Sequence, residues 1–195
     1  MVRRILAAAA VTLTLSAPAF AANSDPSASS GSPRAESRGD NLQLFRAVQK
    51  QVLQYDHFTI FDNVNVQVDG GAVKLTGKVT FDYKRDDLER RVRQVAGVHR
   101  IDNQLQVLPV SQFDDELRVG LAQAIYSNPA FRAFASMVNP PIHIIVENGH
   151  VTLDGVVLNE VDRAIARSIA AGFPSFSFTN GLKTEAEVQQ ELERL

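Results

Sequence analysis

Imidazole nitrogens and carboxylates are the groups from which zinc sites and acid–base catalysts are built. The chain holds four histidines, His57, His99, His143 and His150, and no cysteine. Two of the four fall in one segment, Ile142 to Val157, whose two-residue Asn148-Gly149 corner fixes the pairing on either side of it. In that register Glu147 faces His150 and His143 faces Asp154, which gathers two imidazoles and two carboxylates on one sheet face. Such residues can ligate a metal, but they are also what cross-strand polar pairing on a solvated face looks like. The second reading is adopted, so no metal and no cofactor are expected. The sequence contains no Gly-x-Ser-x-Gly, His-Glu-x-x-His or phosphate-loop motif. Without cysteine there is no thiolate nucleophile, no disulfide and no processed cysteine to carry lipid. A non-enzymatic protein is expected.

Binding chemistry has better material. Lys74, Lys78, Lys84, Arg85, Arg90, Arg91, Arg93 and Arg100 lie close together in the first half of the chain. Near an anionic leaflet each such base adds about 1 kcal/mol. Lys84, Arg85, Arg90, Arg91 and Arg93 share one helical stretch and are the candidate lipid-binding residues, with anionic phospholipid head groups as the partner. The competing reading is a solvated helix face neutralised at i,i+4 spacing by Asp86 with Arg90, Asp87 with Arg91 and Glu89 with Arg93. The second half offers apolar side chains instead. Ile145 and Val156 occupy outward hairpin positions where the first half has Gln67 and Lys78. With Phe134 and Met137 in the preceding loop they form a candidate protein interface, open to an envelope protein or hidden by packing between the two halves.

These residues are positioned by a repeat. Val64-Asn-Val-Gln-Val-Asp-Gly-Gly-Ala-Val-Lys-Leu-Thr-Gly-Lys-Val79 returns as Ile142-His-Ile-Ile-Val-Glu-Asn-Gly-His-Val-Thr-Leu-Asp-Gly-Val-Val157, at a constant offset of 78. Gly71 matches Gly149 and Gly77 matches Gly155. Each copy continues through a helical stretch to a β-rich stretch containing Asn-x-Leu, at Asn103 and Asn180. Order and spacing held over this length indicate tandem modules.

Within each module the apolar period changes from helical to alternating. Leu44, Phe45, Val48, Val52 and Tyr55 mark a first helix, as do Leu117, Leu121 and Ile125 in the second copy. Two strands follow, joined at Gly70-Gly71 or Asn148-Gly149. Gly70, Gly71 and Gly149 are therefore turn glycines, and Val68 should pair with Val73 and Val146 with Val151. A second helix carries the stripe Leu88, Val92 and Val95, or Val161, Ile165 and Ile169. Last strands run over Val98 to Leu108 and Phe176 to Lys183. The fold class is α+β: two tandem αββαβ modules, each a three-stranded sheet with two helices packed on one face.

The flanks read differently. Met1-Val-Arg-Arg followed by an apolar run from Ile5 to Ala17 and by Ala19-Phe20-Ala21 predicts a signal peptide over residues 1–21, cleaved after Ala21. The run is too short for a bilayer-spanning helix, so no transmembrane segment should remain. Residues 22–40, rich in Ser, Pro, Ala and Gly, predict a disordered linker. The modules then occupy residues 41–109 and 110–184, and residues 185–195 form a short C-terminal helix with Thr184 and Glu187 spaced as a capping box. Removing the leader leaves 18 basic against 22 acidic side chains, a balance that disfavours nucleic acid as a partner. The first module is mildly basic and the remainder acidic.

The sequence resembles the BON-domain family. The resemblance is carried by Val66-Gln-Val-Asp-Gly-Gly-Ala-Val-Lys-Leu-Thr-Gly-Lys-Val79, by Gly97-Val98, by Asn103-Gln-Leu-Gln-Val107, and by the run Pro140 to Val157. It covers about three-quarters of the chain. One departure is Phe173-Pro-Ser-Phe-Ser-Phe178, which stands where the first module has its Gly-Val approach to the last strand. A second is a connection longer by five residues between helix and hairpin, Phe131 to Pro141. The resemblance implies a periplasmic protein of the bacterial envelope that binds phospholipid or membrane surfaces and supports integrity or osmotic stress tolerance. It implies no catalytic residues. Protein scaffolding or holdase-like activity is the alternative.

Overall fold

The computed structural model describes residues 33–193, so the expected signal peptide and the first part of the expected linker lie outside the described residues. The elements run α1 (Pro33–Leu53), β1 (Asn63–Asp69), β2 (Ala72–Val79), α2 (Asp82–Arg93), β3 (Arg100–Val107), α3 (Gln112–Ser127), a 3₁₀ turn (Phe134–Ser136), β4 (Ile142–Glu147), β5 (His150–Val157), α4 (Glu160–Ala171), β6 (Ser177–Thr184) and α5 (Glu185–Glu193). Two three-stranded sheets result, ordered β1-β2-β3 and β4-β5-β6. In each, a hairpin is followed by a helical crossover to a strand parallel to its neighbour. The architecture is the expected pair of αββαβ modules, with α1 starting eight residues earlier than expected, at Pro33. Proline suits a first helical turn, where its missing N–H costs nothing.

Both hairpins hold the register that their corners dictate. Val68 pairs with Val73, Val146 with Val151, Glu147 with His150 and His143 with Asp154. Gly70 and Gly71 have φ of 50° and 88°, Asn148 and Gly149 of 50° and 77°, the left-handed pair that a type I′ turn requires. The repeated glycine further along has a steric cause. At Gly155 φ is 121° and a Cβ would lie 1.9 Å from the carbonyl oxygen of Pro141; at Gly77 it would lie 2.3 Å from that of Asn63. The Asn-x-Leu motif ties the last strand to the crossover helix. Asn103 and Asn180 each accept from the backbone N–H two residues on and donate from Nδ2 to the carbonyls of Arg85 and Arg163, which are themselves 78 apart.

Each module closes its own core on one sheet face. Phe45, Val48 and Val52 of α1 and Leu88 and Val92 of α2 cover Val64, Val66, Val68, Val73, Leu75 and Val79. In the second module Leu117, Leu121 and Ile125 of α3 cover Ile142, Ile144, Val146, Val151, Leu153 and Val157. The α4 stripe corrects the expected one. Ala166 and Ala170, which correspond to Leu88 and Val92, are fully buried, while Ile165 and Ile169 are half-buried at the flank and Val161 is exposed. Small residues on the contact line let the helix sit close to the sheet, and the branched side chains wrap its edge.

The other sheet faces meet. Lys78 pairs with Glu147, Asn63 donates to Asp154, the Phe58 and His143 rings lie 5.4 Å apart, and the Ile144 N–H donates to the carbonyl of Ile60 at 2.7 Å. Asn139 further donates to the carbonyl of Leu53. The two modules are thus joined by outward-facing sheet residues and by the segment 54–62, whose Ile60 and Phe61 pack against the second core.

Candidate functional site

The five basic candidates do not form one solvated row. Lys84 is only 2% exposed, and its ammonium bonds Asp62, itself fully buried, at 2.7 Å and the Thr80 hydroxyl at 2.7 Å. The Asp62 carboxylate also accepts from N–H and hydroxyl of both Thr59 and Thr80. Lys84 is therefore a structural ion in the first module and is withdrawn from the lipid-facing set. Lys84 shares the line of Leu88 and Val92 at four-residue spacing, which turns it inward. The other four are accessible to differing degrees. Arg85 pairs with Asp86, Arg93 with Glu89 as the spacing predicts, and Arg90 with Asp87 rather than Asp86.

Asp87 is shared between Arg90 and Tyr55. The Tyr55 hydroxyl donates to Asp87 at 2.9 Å, and burial together with that carboxylate pushes the phenol well above its ordinary range. Arg91, expected to pair with Asp87, instead lies over the Tyr55 ring at 5.1 Å, a cation–π arrangement, with one long bond to the carbonyl of Gln54. Tyr55, Asp56, His57, Asp87, Arg90, Arg91 and Gln94 line a cleft of about 250 Å³. An aromatic chain leads outward from it: His57 stands edge-on to both Tyr55 and Tyr83, and Tyr83 stacks on Phe81 at 5.5 Å. Phe81 is 55% exposed and Tyr83 is also exposed. Sequence reading missed this surface, because Tyr55 reads as the end of a core stripe while Phe81 and Tyr83 adjoin a charged run.

The candidate protein interface is covered within the chain. Ile145 and Val156 are 5% and 6% exposed. Ile145 lies between His143 and Glu147 on β4, both of which touch the first module, and Val156 follows Asp154, which does the same. Phe134 stacks on Phe131 in the second core, and Met137 packs at its margin. The longer loop supplies Phe131 and Phe134 to the second core. A different apolar surface is exposed: Phe176 stacks on Phe113 at 6.2 Å beside His150, at the second hairpin's corner.

The histidine–carboxylate face holds the expected register but splits in environment. His150 is exposed and bonds Ser177, whereas His143 is buried against Phe58, with the Nδ1 lacking a partner and the imidazole pushed below its ordinary pKa by burial. Burial also pushes the Asp154 carboxyl up. Among the described residues no group of three or more His, Cys, Asp and Glu is placed to hold a metal ion. The described helices include none long and apolar enough to cross a membrane.

A family model described as "BON domain" matches residues 41–109 and 114–176. No curated protein matches the chain. Solved structures similar to it include the C-terminal domain of CdsD, the structural protein of the type III secretion system of Chlamydia trachomatis, at 17% identity and TM-score 0.32, over 78% of this chain and 70% of that one. A second structure of CdsD from the same organism matches at 12% identity and TM-score 0.29, over 77% and 97% of the two chains.

Proposed function

The chain belongs to the BON-domain family, and on that footing we propose that it is an exported, non-enzymatic envelope protein that docks on phospholipid surfaces through its first module. The observation that carries this reading is the exposed Phe81–Tyr83 stack joined through His57 to a cleft bearing Arg90 and Arg91. A tyrosine ring settles at the head-group level of a bilayer, the Phe81 ring beside it adds apolar area, and arginine forks match phosphate oxygens. The pairing of Arg85, Arg90 and Arg93 with surface carboxylates does not oppose this, because exposed pairs are worth little and exchange readily for phosphate. A leader over residues 1–21 would carry such a protein to the periplasm, and N-terminal sequencing of the exported chain should begin at Ala22. Liposome co-sedimentation in low and high salt tests the docking. Recovery should be greater with anionic than with neutral vesicles, should fall with salt, and should drop when Phe81 and Tyr83 are both replaced by Ser. Equal recovery from both vesicle types, unchanged by those substitutions, would falsify it.

Protein recognition is the second reading, and the exposed Phe113–Phe176 stack favours it over the covered Ile145 and Val156. Scaffold or holdase activity through that stack requires an envelope protein whose recovery depends on it. Wild-type and Phe176→Ser baits yielding the same set would end that reading.

A further inference from the structure

Charge in the Tyr55 cleft is distributed in a way that selects a ligand. Asp87 is engaged at both carboxylate oxygens, one by the Tyr55 hydroxyl and the other by Arg90, so the Asp87 and Arg90 charges face each other. The other two charged residues of the lining, Asp56 and Arg91, are opposite in sign and lack a carboxylate–cation partner. Among the described residues Arg91 is held by an aromatic ring and a backbone carbonyl instead of a carboxylate, Asp56 has no hydrogen-bond or ion-pair partner, and the two do not pair with each other. An anion alone would meet Arg91 but be repelled by Asp56, and a cation alone would meet the reverse. A small molecule carrying both charges satisfies both. The volume of about 250 Å³ lies just below the range of drug-sized sites, roughly 300–1,000 Å³, and fits a head group rather than a whole lipid.

We propose that this cleft binds a phosphoethanolamine group, with its phosphate on the Arg91 guanidinium and its primary ammonium on the Asp56 carboxylate. An ammonium with N–H donors suits a carboxylate better than a quaternary amine does, because it makes charge-assisted hydrogen bonds. The exposed His57 ring edges the same space. The lipid source of the group rests on the membrane-docking reading; the cleft itself does not.

The test titrates the full chain with soluble O-phosphoethanolamine, followed by NMR at Asp56, His57 and Arg91. Inorganic phosphate, ethanolamine and phosphocholine serve as separate probes. Saturable shifts are expected at those residues, with each of the other probes at least about tenfold weaker. Asp56→Asn should weaken binding by about tenfold without moving the thermal midpoint, Arg91→Gln should weaken it by about tenfold in protein that remains folded, and Arg167→Gln on the second module should change nothing. Phosphate binding as tightly as phosphoethanolamine, or an Asp56→Asn protein that binds normally, overturns the proposal. In parallel, vesicles with one fixed share of anionic lipid are made up with either phosphatidylethanolamine or phosphatidylcholine, and the former should recover more protein. Absence of saturation while anionic vesicles still recover the protein defeats the cleft and leaves membrane docking standing. Saturation without recovery by any vesicle supports the cleft for a free ligand and defeats membrane docking.

Discussion

The two modules solve the same backbone problem with the same devices and spend their side chains differently. Asn103 and Asn180 tie strand to helix through equivalent bonds, and Gly77 and Gly155 admit a carbonyl that any Cβ would strike. The first helix clamps the hairpin corner in both: Asn41 accepts from the Gly70 N–H, and Asp114 from those of Asn148 and Gly149. Away from the backbone the likeness ends. Asp87 and Arg91, which shape the cleft on α2, become Ile165 and Ile169 on α4, half-buried against the second core. The buried Asp62–Lys84 pair has Pro140 and Asp162 at the matching positions. Duplication has thus kept what satisfies N–H and C=O groups and released the rest. One copy keeps a polar cleft toward solvent, and the other turns apolar and packs inward.

Breaking the buried pair separates the modules most sharply. Lys84→Ala leaves Asp62 charged and fully enclosed, a class of change that costs about 3–5 kcal/mol. The four bonds from Thr59 and Thr80 should hold the loss near about 3 kcal/mol. The matching change in the second module, Asp162→Ala, removes only a favourable charge in the first turn of α4, about 0.3–1 kcal/mol. Urea unfolding of both variants checks the contrast, and equal losses would mean that the pair is not a device of the first module. The corner clamps should differ by less. Asp114→Ala strands two turn N–H groups that now donate to a buried charge, about 2–3 kcal/mol, whereas Asn41→Ala removes one neutral bond, about 1 kcal/mol. Hydrogen exchange at Asn148, Gly149 and Gly70 should accelerate in that order of severity.

Why sequence alone reached one part of this and not the other follows from the same contrast. Register was legible because a two-residue turn of Gly-Gly or Asn-Gly admits a single pairing, and β alternation carries it outward from Val68 or Val146. The α4 stripe was misread because size was taken as the sign of burial. Placing Ala166 and Ala170 beside Leu88 and Val92 at the offset of 78 would have identified them. Lys84 carried a signal too, its four-residue spacing to Leu88, but a lysine next to an arginine and two aspartates reads as solvated. The cleft was beyond reach in principle. It depends on Tyr55, after the end of α1, meeting Asp87 on α2, a contact across 32 residues that no local period encodes.

The smallest expected effect tests how the modules are joined. His143 on β4 corresponds to Asn65 on β1, so the contact between sheets carries a titratable ring on one side only. That ring lies against Phe58 and the backbone of Thr59 and Asp62 from the first module, with Asp154 across the strand pair. Burial holds its pKa below the ordinary 6.5. Between 6.5 and the lowered value the opened chain takes a proton that the closed protein refuses, so stability falls with pH across that window and levels off beneath it. One group gives a slope of at most about 1.4 kcal/mol per pH unit. Asp154 acts in the opposite sense: its raised pKa means that protonation relieves a cost of the closed state as pH falls through that value toward 3.8. Replacing His143 by Asn, the residue its counterpart carries, should flatten the fall below 6.5 and leave the Asp154 contribution in place. Urea midpoints measured every half unit of pH would show the difference between the two profiles. A variant profile parallel to the wild type would place the acid sensitivity somewhere other than the contact between modules.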